Sequence, residues 1–123
     1  MGYEVKLVLL DKFNTRFSEN RQYGSVVAII DLSKIGGIVN TGIVEAEVSS
    51  GVPVEFYLPG DGNTIVHTDL YGKEMLAIPA QKMLDALNAD PDKKYRRYRM
   101  ARPLLKEFIK GFGDTAYVAC YGH

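Results

Sequence analysis

Tryptophan is absent from this 123-residue chain, and cysteine occurs once, at Cys120. A single cysteine permits neither an intrachain disulfide nor a multi-cysteine zinc site. It suits a reducing compartment, where a buried thiol packs as a small hydrophobe. No apolar run approaches the ~18–20 residues that a membrane span needs. The opening Met1-Gly2-Tyr3-Glu4-Val5-Lys6 carries an acid and a lysine beside a short apolar run, so it does not read as a secretory signal. Its sixth residue is Lys6, where a myristoylation motif wants Ser or Thr. The expectation is a cytoplasmic protein. Excess charge of one sign is also missing: Lys+Arg and Asp+Glu are both 15. The chain as a whole therefore announces neither a nucleic-acid nor a membrane partner.

Several catalytic signatures are lacking too. No GxxxxGK[ST] phosphate loop exists, and no Gly-x-Ser-x-Gly elbow. Gly60-Asp61-Gly62 lacks the third glycine of a dinucleotide fingerprint, and a strand follows it where a helix should. What remains is ordinary globular material, 46% hydrophobic and 24% charged. That amount of chain builds one core, so residues 1–123 are expected to form a single domain.

The first half reads as strands. Tyr3 to Asp11 sets Tyr3, Val5, Leu7 and Leu9 on one face. Val26 to Ile30 is apolar on both faces, as in a strand covered on two sides. Gly42 to Ser49 alternates Val44, Ala46 and Val48 against Glu45 and Glu47, and Ser50-Gly51 turns it into Val52 to Leu58 as a hairpin. Pro53 removes a ladder donor, so that strand is expected at an edge or with its start outside the ladder. Thr64 to Thr68 reads as a fifth strand, after the Gly60-Asp61-Gly62-Asn63 turn.

Helices follow. Pro79 suits a first helical position, and Met83, Leu84 and Leu87 form an apolar face. Asp90-Pro91-Asp92 starts a second helix, with Tyr95, Tyr98, Arg102, Leu105, Ile109 and Phe112 at helical spacing. Pro103 should kink or split this helix, and Gly111 and Gly113 end it. Tyr117 to Tyr121 reads as a last strand. The predicted fold is α+β: a mainly antiparallel sheet of five to six strands, with two C-terminal-half helices packed on one face.

Overall neutrality hides a split. Residues 1–91 hold 7 cationic against 12 acidic side chains, and residues 92–123 hold 8 against 3. All eight of those cations fall on the second predicted helix. At 100° per residue Arg96, Arg99, Arg102, Lys106 and Lys110 line up beside the apolar arc, over about 20 Å at 1.5 Å per residue. Their i,i+4 spacings repel by roughly 0.2–0.5 kcal/mol each.

Three readings of the stripe stand. It is solvated or paired with the domain's own acids, such as Glu45, Glu47 and Glu55. It binds phosphates through Arg forks, with Tyr95 and Tyr98 as stacking platforms. Or it docks on an acidic protein, a second copy of this chain included. The loop from Phe13 to Tyr23, with Arg16 and Arg21 among its aromatics, is a second candidate binding segment. His67 and Asp69, two apart on a strand end, have the makings of a general-base pair or of two metal ligands, but no third ligand stands near them in the sequence. Cys120, in an apolar strand without a neighbouring cation, reads as an inert buried thiol.

The favoured reading is a small non-enzymatic binding module without a cofactor or metal. It engages a nucleic acid or a phosphate-bearing nucleotide through Arg96, Arg99, Arg102, Lys106, Tyr95 and Tyr98, with Arg16 and Arg21 in support. The first alternative is a protein-binding inhibitor or adaptor, of the compact kind encoded by phages and mobile elements, an analogy from size alone. The second is a small metal-dependent or general-base hydrolase built on His67 and Asp69. The edge near Pro53 and the final strand leave room for a homodimer by sheet extension.

Overall fold

A computed structural model describes residues 5–18, 21–32, 42–58, 64–89 and 96–122. In chain order the elements are β1 (Val5–Ser18), β2 (Arg21–Asp31), α1 (Gly42–Val48), β3 (Val52–Tyr57), β4 (Ile65–Val66), β5 (Leu76–Pro79), α2 (Ala80–Ala89), α3 (Arg96–Phe112), a 3₁₀ turn (Gly113–Thr115) and β6 (Ala116–Gly122). The sheet order is β2-β1-β6-β5-β3-β4, and β2 also pairs with β3. That last pairing is parallel, Gln22 opposite Val54 and Tyr23 opposite Glu55, while the other ladders are antiparallel. The sheet therefore closes into a small barrel of β2, β1, β6, β5 and β3. The expected sheet of five to six strands is present, but the parallel β2–β3 pairing and the closure into a barrel differ from the mainly antiparallel sheet expected.

Alternation along the strands builds two cores from one wall. On β1, Val5, Leu7 and Leu9 face outward to the helices, with Ile78 of β5 and Ala116 and Val118 of β6. Val8 and Leu10 point inward, where they meet Val54, Phe56, Leu58, Met75, Ala77, Ala119 and Tyr121. Such a narrow barrel is filled by side chains, and small residues must offset large ones. Ala77 and Ala119 are direct register partners, and in the same interior Phe56 is fully buried. On β2 the parity changes at Val27: Leu9 pairs with Ala28, but Leu10 pairs with Val26. Val27 is the extra residue of a bulge and is exposed. The bulge lets Ile30 join the outer core while Val26 packs against the inner one. Both sides of this strand are thus covered within one chain.

Outside the barrel, α1, α2 and α3 share the outer core through Val44 and Val48, Met83, Leu84 and Leu87, and Ala101, Leu105 and Phe108. The helix at Gly42–Val48 corrects the expected strand there, and with it the expected hairpin and the count of two helices. Val44 and Val48 are four apart, so periods of 2 and 3.6 both place them on one face. Ala46 separates the two periods and is exposed, as the helix requires. Glu45, Ala46 and Glu47 are all good helix formers. The Ser49 and Ser50 hydroxyls donate to the Ala46 and Glu47 carbonyls and close the helix end.

Further expectations change. Phe13 to Tyr23 is not a long loop, because β1 continues to Ser18 and β2 starts at Arg21, a hairpin pinned by β1–β2 pairing. β5 was not anticipated. Pro53 is not at a free edge, since β3 lies between β5 and β2 with Pro53 opposite Leu76. β6 runs between β1 and β5, so both strands expected to extend a sheet are internal to the barrel. Among the described residues no helix is long and apolar enough to cross a membrane.

Candidate functional site

Helix α3 runs unbroken for 17 residues through Pro103. The proline lacks the N–H that would reach back to Arg99, yet the apolar seam holds the helix together on both sides of it. Ala101 and Leu105 are fully buried and Phe108 nearly so, and the Phe108 and Phe112 rings lie 5.2 Å apart. The seam fixes which way the rest of the helix points. Arg102, one step off it, is half-buried, and Lys106 and Lys110 are exposed. Arg102, Pro103 and Lys106 line an open recess with Asn88, from the end of α2. Neither Lys106 nor Lys110 forms an ion pair with a described residue.

The acids expected to neutralise the stripe lie elsewhere. Glu45 is 3.9 Å from Lys73. Glu55 is buried on β3, opposite Tyr23 across the parallel seam. Arg96, Tyr98 and Arg99 occupy the first turn of α3. Tyr95 lies outside the described residues, and so do the side chains of Arg16, Arg96, Tyr98 and Arg99.

Arg21 does not join this face. Its guanidinium donates to Glu74 at 2.9 Å and to the Val54 carbonyl at 3.4 Å, tying the start of β2 to β3 and to the segment before β5. It is a strap of the barrel seam. His67 and Asp69 differ in setting: His67 is exposed, whereas Asp69 is 5% exposed. The Asp69 carboxylate accepts the Tyr71 and Lys73 backbone N–H groups at 2.8 and 2.9 Å and so shapes the turn before β5. Gly72 takes the positive φ of 79° in that turn. Among the described residues no group of three His, Cys, Asp or Glu could hold a metal ion.

Cys120 sits in β6 beneath α1. Burial first, then the Glu45 carboxylate, push its thiol up to about 12 against an opposing pull from Lys73. Near neutral pH the sulfur is a protonated, uncharged wall.

The cleft above Cys120 escaped sequence reasoning, because its walls come from α1, the turn at Asp69–Lys73 and strands β5 and β6. Only β5 and the α1 helix bring them together, and neither element was read correctly from local pattern.

A small closed barrel carrying three helices on one wall is the class that the fold defines. Compared with known protein families, with curated proteins and with solved structures, the chain shows no match.

Proposed function

We propose that this protein is a small non-enzymatic binding module whose α3 helix engages an anionic partner, with a nucleic-acid backbone as the best fit. One observation carries the reading: Lys106 and Lys110 stand exposed and unpaired among the described residues on a helix whose opposite face is locked into the core. Exposed lysines without an ion-pair partner among the described residues are available to phosphates, and release counterions when they meet them. The recess at Arg102 and Lys106 is open, which suits an extended polyanion better than an enclosed nucleotide.

Fluorescence anisotropy with labelled 20-nucleotide DNA and RNA, over a range of salt, tests this. Affinity should fall steeply with salt, and K106E/K110E should remove most of it with the melting temperature nearly unchanged. These lysines are better probes than Arg102, whose half-buried side chain also serves the fold. Salt-insensitive binding, or binding indifferent to the double reversal, would refute the reading.

A second reading, an inhibitor or adaptor docking on an acidic protein, is favoured by Leu104 and Phe112, which are 44% and 38% exposed on the same helix. Leu104→Asp should abolish capture of a protein partner and leave nucleic-acid affinity within about threefold.

A further inference from the structure

We propose that the turn at Leu70–Tyr71 and the cleft beside it form a self-complementary surface, through which two copies of this chain join as a weak, reversible two-fold dimer. The surface is separate from the basic face of α3. Among the described residues Leu70 and Tyr71 are the most exposed large hydrophobic side chains, at 73% and 60%. One exposed leucine needs no explanation, but two adjacent apolar side chains at the tip of a braced turn form a knob.

The bracing comes from both the side chain and the backbone. The Asp69 carboxylate accepts the Tyr71 and Lys73 N–H groups. The Gly72 N–H donates to the Asp69 carbonyl, and the Asp69 N–H to the Lys73 carbonyl. Thr68 bridges Glu74, and the Leu70 N–H donates to the Gly122 carbonyl at the end of β6. The knob is thus ordered before any contact forms, which lowers the cost of association.

The cleft supplies the matching hole. Val48, Leu76 and Cys120 line its interior, and the space is about 140 Å³. A cavity of roughly 150 Å³ holds a guest of six carbons, so the four-carbon side chain of a leucine fits. The Cys120 thiol stays protonated and leaves the floor uncharged. Knob and hole share one face. Lys73 closes the turn and also lines the cleft, and Gly122, which receives the Leu70 N–H, is two positions or about 7 Å along β6 from Cys120. A two-fold axis lying in that face, between knob and hole, carries each Leu70 to the cleft of the other copy, and the contact closes with both knobs used. At the rim the Lys73 and Glu74 side chains are each more than half exposed, with Arg21 engaging the Oε1 atom of Glu74, so the axis can set the cation of one rim beside the carboxylate of the other. At their exposures Leu70 and Tyr71 offer roughly 200 Å² per copy, so two knobs and the surfaces that receive them bury about 800 Å², the size of a weak and reversible complex.

Sedimentation velocity of the full chain from about 5 to 500 μM tests this, with an expected monomer–dimer equilibrium at a Kd of about 10–100 μM. Leu70→Asp should weaken it about hundredfold, since each dimer buries the residue twice, and should leave the melting temperature of the monomer nearly unchanged, since the side chain is 73% exposed. K106E/K110E should leave the equilibrium intact, which keeps this surface distinguishable from the α3 face. Isotope-filtered NOE spectra of mixed labelled and unlabelled protein should show intermolecular signals from the Leu70 methyls to Val48 and Leu76. A chain that stays monomeric up to about 500 μM would overturn the proposal and leave the turn to a partner of another sequence. A dimer that survives Leu70→Asp, or whose intermolecular signals come from α3, would overturn it equally.

Discussion

Replacing Gly51 by alanine should destabilise this protein more than the same change at Gly24, Gly72, Gly111 or Gly113. A Cβ at this position would lie 2.3 Å from the Ala77 carbonyl oxygen, 2.7 Å from its carbonyl carbon and 3.0 Å from its nitrogen. All three are backbone atoms of β5, so no side-chain rotation relieves the clash. Either the joint between α1 and β3 moves by about 1 Å, or β5 shifts against β6. Both movements disturb close-packed cores, where forced overpacking costs about 1–3 kcal/mol, and the backbone clash argues for the upper end. At about 3 kcal/mol the urea midpoint should fall by about 1.5–2 M and the melting temperature by about 10 °C.

Gly111→Ala is the matched control. Nothing lies within 4 Å of a Cβ built there, and the residue is helical, so the change should stabilise by about 0.5–1 kcal/mol. Urea titrations followed by far-ultraviolet circular dichroism and tyrosine fluorescence measure both variants. A Gly51→Ala midpoint within about 0.3 M of wild type would refute the close approach of α1–β3 to β5, and with it the rear wall of the cleft.

Asp69→Ala should cost about 2–3 kcal/mol, because two backbone N–H groups lose their acceptor, while Asp69→Asn keeps one acceptor oxygen and should recover part of the loss; urea unfolding reads both. The Cys120 thiol, raised to about 12 from 9.0, should react with iodoacetamide near pH 8 about a thousandfold more slowly in folded than in unfolded protein. The sign of the linked stability follows. The fold favours the protonated thiol, so this contribution is complete below pH 9 and is lost as the pH rises toward 12; unfolding at pH 8 and pH 10.5 in wild type and Cys120→Ala isolates it. Phe56→Ala should remove about 3–5 kcal/mol by emptying the middle of the barrel interior, again read by urea unfolding.

The legible parts of this chain were those where one period had no rival. Met83, Leu84 and Leu87 are the buried face of α2 as their spacing predicts; on α3 Leu105 is buried as expected, but the face is centred on Ala101, Leu105 and Phe108, and Phe112 is 38% exposed. Gly113, with φ of 60°, stands just past the end of α3, where a residue free to adopt left-handed backbone is wanted. Tyr117 to Tyr121 lies inside β6. Reading failed where a segment was short enough for two periods to agree, as at Gly42–Val48. It failed again at Leu76–Pro79, four residues whose strand character rests on pairing with β6 and β3.

By itself the sequence determined the local choices: the face of α2, the helical character of α3, the long apolar strands, and the concentration of cations on residues 92–123. These follow from side-chain spacing and charge, which need no partner. Only the tertiary structure decided that β2 pairs in parallel with β3 and closes the sheet, because that contact joins residues 32 positions apart, as at Gln22 and Val54. Closure then placed Arg21, expected in a binding loop, in the seam, took the edge from Pro53, and set Glu45 opposite Lys73 above Cys120. Hydrogen bonds and burial across the chain, which no local pattern encodes, settle such assignments.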